Sequence, residues 1–103
     1  MAAGLLPEPR LEDIELDAVF GALADPNRLR VVVELARGGD EQRSCASFAL
    51  PVAKSTRTHH WRVLREAGLI HQRDAGNGNY VSLRREELER RFPGLLQTLK
   101  TIT

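Results

Sequence analysis

The apolar residues in the first forty positions recur at the spacing of two helices. From Arg10 to Ala24 every third or fourth residue is apolar, which predicts an amphipathic helix with an acidic outer face. Asp25-Pro26 marks a boundary, because Asp is a favoured N-cap and Pro suits the first helical position. A second helix is predicted from Pro26 to about Arg37. It ends at Gly38-Gly39, since glycine accepts the left-handed conformation that closes helices.

The stretch after the glycine pair predicts a short helix and then a longer one. Ser44 is placed to cap a short helix that runs from Cys45 to Leu50, where Pro51 stops it. The longer helix is predicted to begin at Ser55 or Thr56 and to end at Ala67. A short helix packed before a helix that starts with polar residues is the helix-turn-helix arrangement.

The last third of the chain predicts a hairpin followed by helix. Leu69–Arg73 and Asn79–Leu83 have the pattern of two short strands, and the glycine-rich residues 74–78 between them predict a turn. Residues 84–92 are charged and helical in pattern, and an apolar face continues to Ile102 after Pro93-Gly94. A hairpin that follows a helix-turn-helix is a wing.

The predicted fold is therefore mainly α (α+β): a winged helix-turn-helix with about five helices and a two-stranded β-hairpin wing. Residues 1–9, which contain one glycine and two prolines, are predicted to be a flexible arm. Residues 10–103 are predicted to form the one domain. The first and last helices carry more apolar residues than a small core needs, so we predict an isologous homodimer. Its interface residues are Leu16, Val19, Phe20, Leu23, Leu88, Phe92, Leu95 and Leu99.

Size and composition narrow the class of protein. A chain of 103 residues has room for one small domain, which a dimer interface would help to stabilise. No stretch approaches the roughly 18 apolar residues that a membrane span needs, so no membrane partner is expected. The N-terminus turns acidic too early for a signal peptide. The single cysteine fits a reducing compartment, and we predict a cytoplasmic protein.

Charge is unevenly distributed although the formal net charge is only +1. Residues 1–53 contain five Lys/Arg and nine Asp/Glu, whereas residues 54–103 contain ten and five. Residues 54–73 contain five Lys/Arg against one Glu, together with all three histidines. A helix that starts polar and basic and buries one apolar side is typical of a DNA-reading element, because the major groove displays a distinct donor and acceptor code.

Two phrases in this order are similar to a known family. LADPNRLRVVVELARGG and STRTHHWRVLREAGLI resemble the second helix and the recognition helix of ArsR-type repressors, and SLRREELERRFPGLL resembles the tail of one subgroup. The resemblance covers roughly residues 11–99. It implies a dimeric winged helix-turn-helix protein that binds double-stranded operator DNA, usually as a repressor released by an effector. The effector itself is not indicated by any residue.

The chain departs from the family's usual phrases in three places. Arg57 stands where the family usually has an apolar residue, and it exposes a cation at the start of the recognition helix. The positioning helix around SCASFALPVAK is abbreviated. The wing is rich in glycine and asparagine rather than strongly basic.

The candidate DNA contacts come from the recognition helix and the wing. Thr56, Arg57 and His59 are predicted to lie near bases. The predicted phosphate contacts, which set the register of the complex without reading its sequence, are Lys54, Ser55, Thr58 and Arg62. His60 matches the family's recurrent histidine, and its side chain faces either the DNA groove or the helix packing. Trp61 is predicted to belong to the core. The complete predicted set is Lys54, Ser55, Thr56, Arg57, Thr58, His59, His60, Arg62, Arg73, Asn77 and Asn79.

Other functions have weaker support. The family's thiolate metal site needs a Cys-x-Cys pair, whereas Cys45 stands alone, and no histidine follows His71 to build the site on the last helix. We predict no metal site, no cofactor and an inert, buried Cys45. No glycine-rich phosphate loop or supported catalytic set is present, so an enzyme is not expected. The alternative is a winged-helix protein-interaction module that does not bind an operator.

Overall fold

The computed structural model describes residues 4–39 and 41–102 of the chain. Within these residues the fold has five α-helices and a four-stranded antiparallel sheet, which agrees with the predicted α+β winged helix-turn-helix. No helix in the described ranges is long and apolar enough to cross a membrane. The elements are β1 (Gly4–Leu5), α1 (Leu16–Leu23), α2 (Pro26–Arg37), β2 (Arg43–Ser44), α3 (Lys54–Glu66), β3 (Ile70–Asp74), β4 (Asn79–Leu83), α4 (Arg85–Arg91) and α5 (Leu95–Lys100), with 3-10 turns at Leu11–Asp13 and Cys45–Ser47.

Helix α2 begins and ends where its sequence signals predict. The Asp25 carboxylate accepts the backbone N–H groups of Asn27 at 2.9 Å and Arg28 at 3.2 Å, so two of the unpaired donors of the first turn are satisfied. Pro26 occupies the first helical position, and Gly38 closes the helix at the other end. Helix α3 also begins within one residue of its predicted start and ends one residue before its predicted end.

The sheet is larger than the predicted hairpin. Strands β3 and β4 pair from Ile70 opposite Leu83 to Asp74 opposite Asn79, which confirms the wing. Strand β1 adds to the free edge of β3, and strand β2 adds to the free edge of β4, in the order β1-β3-β4-β2. Both added strands have only two residues.

The N-terminal segment is held against the domain along its described part, which corrects the prediction of a flexible arm over residues 1–9. Gly4–Leu5 pairs with the end of β3. Farther along, the buried Arg84 guanidinium donates to the Pro9 carbonyl at 2.8 Å. Residues 1–3 lie outside the described residues. Glycine and proline signal an irregular backbone but carry no information on whether a sheet edge is available to receive it.

Two predicted helices are shorter than their patterns indicate. The first helix begins at Leu16 and not at Arg10, because Ile14 is extended and fully buried and thereby interrupts the helical path. The positioning helix is a single 3-10 turn, Cys45–Ser47, capped by the Ser44 hydroxyl, which accepts the Ala46 N–H. Phe48 is extended and buried, so the chain turns into the core there, well before Pro51.

The core also corrects part of the predicted dimer interface. Val19 and Leu88 are fully buried and Leu99 is 4% exposed, and all three belong to the single apolar cluster of the domain. These side chains already pack within their own chain and offer no surface to a second one. Leu23, Phe92 and Leu95 are half-buried at the margin of the cluster. Leu16 and Phe20 remain exposed.

Candidate nucleic-acid interface

The recognition helix α3 is fixed to the core by one side only. Trp61 and Leu64 are buried, and the Trp61 ring packs edge-on against Phe48 with 5.5 Å between the ring centroids. Edge-to-face aromatic pairs of this kind add stability beyond the apolar area that they bury. An α-helix makes one turn every 3.6 residues. Because this side of α3 is anchored, the polar residues of its first three turns face away from the core.

The opposite side of α3 is exposed, polar and cationic. No acidic residue occurs on this helix before Glu66, its last residue. The field at this surface is therefore positive, which attracts a polyanion such as DNA. Six of the predicted contact residues are exposed here, namely Lys54, Ser55, Thr56, Thr58, His59 and Arg62.

Arg57 lies on the same side but is half-buried. One of its terminal guanidinium nitrogens donates to the Val52 carbonyl at 2.8 Å. This contact joins α3 to the loop before it. ArsR-type repressors usually have an apolar side chain at the position of Arg57. The guanidinium carries five N–H donors in a fixed fork, so one bond to a carbonyl leaves donors for a second partner.

His60 is removed from the candidate interface. Its side chain is buried, and its Nδ1 lies 3.0 Å from a guanidinium nitrogen of Arg28 on α2. The arginine is always the donor, so Nδ1 accepts and the ring proton sits on Nε2, 3.8 Å from the Asp25 carboxylate. The predicted role of His60 at the DNA is therefore wrong. The residues next to His60 in the sequence do not reveal this contact, because Arg28 lies 32 positions away.

Burial lowers the pKa of His60 below its ordinary value of 6.5. The nearby Asp25 carboxylate acts in the opposite direction, whereas the charges of Arg28 and His59 act in the same direction as burial. Asp25 itself has a lowered pKa, because backbone hydrogen bonds from Arg28 and Asn27, the charge of Arg28 and the charge that His60 carries when protonated together outweigh its desolvation. The neutral imidazole thus fits its place between α2 and α3.

We expect this histidine to make stability fall in mild acid. Below about pH 6.5 the unfolded chain binds a proton at His60 that the folded chain resists, so stability is complete above this pH and declines as the pH falls. His60→Asn keeps an acceptor for Arg28 but cannot titrate. Between pH 7 and pH 5 the melting temperature should fall less in the variant than in the wild type. An equal fall in both would contradict the assignment.

The wing presents a polar tip. Asn77 is exposed in the turn and Asn79 is exposed at the start of β4. The turn is closed by an Ala75 N–H that donates to the Gly78 carbonyl at 2.8 Å. Arg73 is half-buried. It donates to the Gln42 side chain at 3.0 Å and lies over the Tyr80 ring, 5.4 Å from its centroid. The tip therefore offers amides, and the arginine is held along the sheet by two neighbours.

A groove of about 450 Å³ separates the wing tip from the recognition helix. Its third wall is the 3-10 turn Cys45–Ser47. The sequence does not indicate this groove, because its walls come from three separate segments (residues 44–50, 54–61 and 77–80) that only the folded chain brings together. Several candidate contacts (Lys54, Arg57, Thr58, Asn77 and Asn79) line it.

Cys45 lies in that groove as a thiol. Burial raises its pKa to about 12, and a hydrogen bond to its own backbone opposes the shift only weakly. A thiolate is the form that binds soft metals and attacks electrophiles. Within residues 4–39 and 41–102, no group of three or more His, Cys, Asp or Glu side chains is arranged to hold a metal ion.

Alkylation should measure this protection. At pH 8 a thiol with a pKa of about 12 is ionised at only roughly one part in ten thousand, far below a free cysteine. We expect iodoacetamide to modify Cys45 at least about 100-fold more slowly in the folded chain than in guanidinium chloride. Comparable rates in the two conditions would show an accessible thiolate and would contradict the raised pKa of Cys45, which is half-buried in the structure and not fully buried as predicted.

Comparison with known proteins supports the same class. A family described as a helix-turn-helix domain matches residues 23–73. The HTH-type transcriptional regulator YceK of Bacillus subtilis (strain 168) is 37% identical over 83 residues, which are 79% of this chain and 82% of YceK. A transcriptional repressor SmtB homolog of Synechocystis sp. is 40% identical over 67 residues, 62% of this chain and 48% of that protein.

A solved structure agrees in fold and in sequence. The ArsR-like transcriptional regulator from Rhodococcus sp. RHA1 superposes with a TM-score of 0.58 and 27% identity, covering 81% of this chain and 77% of that one. The described part of the chain therefore shares its fold and a substantial part of its sequence with regulators of one kind. The chain belongs to the ArsR family of helix-turn-helix transcriptional regulators, which are DNA-binding proteins and not enzymes.

Proposed function

We propose that the chain is a homodimeric repressor that binds a palindromic operator through α3 and the wing tip and leaves it when an effector binds. The observation that carries this proposal is the exposed side of α3. It combines three cations (Lys54, Arg57 and Arg62) with hydroxyl and imidazole groups, and a buried aromatic pair holds it rigidly. A rigid helix with this composition suits the major groove.

The roles within this surface follow from position and chemistry. Thr56, Arg57 and His59 contact base edges in the proposed complex, because they occupy the first turns of the helix, which enter the groove first. Lys54 and Arg62 bind phosphates on either side. The amides of Asn77 and Asn79 contact the adjacent backbone. Phosphate contacts should make binding steeply dependent on salt, because each one releases condensed counterions.

The dimer is proposed to form around α1. Leu16 and Phe20 are one helical turn apart and are 42% and 56% exposed, so they form an apolar strip that water solvates poorly. A second copy of the chain presents the same strip and can cover it isologously. Two recognition helices related by a two-fold axis would then enter successive major grooves about one turn apart.

Sedimentation tests this dimer. We expect a dimer at micromolar concentration for the wild type and a monomer for Phe20→Asp, because the substitution places a charge in the apolar contact. Glu12→Gln, also exposed but in the preceding 3-10 turn, serves as the control and should stay dimeric. A monomeric wild type would contradict both the dimer and the palindromic operator.

Repression, as opposed to activation, is supported by relatives. The SmtB homolog of Synechocystis sp. is named a transcriptional repressor. So is a second Bacillus subtilis relative, SdpR, which is 31% identical over 66% of this chain. A winged helix bound over a promoter excludes polymerase by its presence alone. This mechanism needs no further surface on a domain of this size.

The direct experiment is capture of genomic DNA. The purified protein is incubated with sheared DNA from its own genome, including its own upstream region, and retained fragments are sequenced at two salt concentrations. We expect an imperfect palindrome whose retention falls steeply with salt. Unselective retention, or none, would contradict operator binding and would favour a protein-interaction module instead.

A further inference from the structure

The groove between the recognition helix and the wing has the dimensions of a ligand site. Its volume of about 450 Å³ lies within the roughly 300–1,000 Å³ that small-molecule pockets occupy. The walls belong to three different elements, and two of them, α3 and the wing tip, are those proposed to touch DNA. The groove is therefore placed where an occupant would interfere with operator binding.

The floor of the groove is aromatic. Phe48 and Trp61 both line it while remaining only 4% and 6% exposed, and their rings meet at an interplanar angle of 61°. Tyr80, from β4, contributes a third ring to the wall. Flat apolar groups pack well on such surfaces, because offset and edge-on ring contacts are the preferred aromatic geometries.

The rim of the groove is cationic. Lys54 and Arg57 line it, and no Asp or Glu belongs to its described lining. Cys45 contributes a neutral thiol, since its pKa is about 12, and therefore adds no negative charge. The N-cap of α3 is Ala53, whose side chain cannot accept a hydrogen bond from the first turn, and no acidic residue lies in that turn. The positive end of the helix dipole is therefore uncompensated there.

We propose that this groove binds a small planar aromatic carboxylate, with the ring on the Phe48–Trp61 floor and the carboxylate beside Lys54 and Arg57. Neutral aromatic compounds lack the ion pair, and aliphatic anions lack the ring contact. The chemistry of the lining therefore selects for molecules that have both parts.

Occupancy should exclude DNA. The aromatic carboxylate and the operator would compete for the same side chains, which are Lys54, Arg57 and Thr58. Binding of either one therefore weakens binding of the other by the same factor. This exclusion rests on the proposed operator binding, whereas the binding of the carboxylate to the free protein does not. The aromatic carboxylate is then the effector class for release.

Trp61 is the only tryptophan of the chain, and its indole N–H gives one resolved NMR signal for the groove. We would titrate the ¹⁵N-labelled protein with benzoate and with phenylacetate, and use phenylacetamide and acetate as the neutral and ring-free controls. We expect a saturable shift of the Trp61 signal for the two aromatic acids, with affinity at least about ten-fold greater than for either control.

A matched pair of variants tests the rim. Lys54→Ala should weaken binding of the aromatic acid by about ten-fold, the effect of one ion pair in a partly enclosed site, whereas Lys100→Ala on α5 should leave it unchanged. No shift with either acid, or equal shifts with acids and controls, would overturn the proposal. So would an equal loss of affinity in the two lysine variants.

Operator affinity is measured on the same samples by fluorescence anisotropy with a captured fragment. If the fragment binds but the acids do not shift Trp61, the groove proposal is overturned and the proposed function stands. If the acids bind selectively but no fragment does, the proposed function fails and the groove site stands. If both bind and saturating acid does not reduce operator affinity, the exclusion is overturned.

Discussion

Replacement of Arg57 and His59 by alanine should reduce affinity for the captured operator by at least about 30-fold. Both side chains belong to the first turns of α3, and each contact to a base edge contributes about 1–3 kcal/mol of binding free energy. His59 is exposed and Arg57 half-buried, so the double variant should remain folded. Its affinity for non-operator DNA should fall much less, because unspecific binding depends mainly on phosphate contacts.

A charge-matched control separates this effect from loss of general positive charge. Arg90→Ala/Gln97→Ala also removes one cation and one polar group, but from exposed positions on α4 and α5. We expect operator affinity within about two-fold of the wild type, since a distant surface charge acts only through a screened field. Unchanged operator affinity in Arg57→Ala/His59→Ala would refute the assignment of these residues to the bases.

Gly68→Ala should destabilise the domain by about 2–5 kcal/mol. Gly68 follows α3 and has φ +89°, a left-handed conformation that costs a non-glycine residue about 1–2 kcal/mol. An added Cβ would lie 2.7 Å from Cγ1 and 2.9 Å from Cδ1 of Ile14, which is fully buried and cannot move aside. Overpacking of this kind costs a further 1–3 kcal/mol or so.

The wing supplies the matched control for this substitution. Gly76 has nearly the same φ, +88°, but nothing lies within 4 Å of the Cβ that alanine would add. Gly76→Ala should therefore cost only about 1–2 kcal/mol, from the backbone alone. Urea unfolding of both variants measures the difference. Equal destabilisation would mean that the contact with Ile14 is relieved at no cost and would contradict the packing described here.

Local signals predicted the helices that carry strong caps or strong periodicity. Asp25-Pro26 and the glycine pair defined α2 to the residue, and the polar start and apolar side of α3 placed it within one residue. Strands β1 and β2 were missed because two residues cannot display an alternating pattern. Their existence depends on free edges of the hairpin that only the assembled sheet provides.

The candidate site was predictable to the extent that exposure follows helical periodicity. Lys54, Thr56 and His59 face outward as expected, since Trp61 and Leu64 face inward. The sequence could not indicate the partner of His60, because the Arg28 contact depends on how α2 crosses α3. The sequence could not indicate the groove between α3 and the wing tip either, because its lining comes from three separate segments.

Periodicity also failed to separate core from interface on the terminal helices. Val19 and Phe20 are adjacent and both apolar, yet one is fully buried and the other is 56% exposed. A helix that packs on its own chain on one side and is proposed to pack on a second chain on the other is apolar nearly all round. The pattern then carries no information on which side faces which partner.

Amide chemical-shift mapping of the ¹⁵N-labelled protein with the captured operator fragment shows which surface the DNA contacts. We expect the largest shifts on residues 54–62 of α3 and on residues 77–79 of the wing tip, with the amides of α1 and α4 little changed. Large shifts on α1 or α4, with residues 54–62 unaffected, would mean that DNA binds elsewhere and that α3 is not the recognition helix.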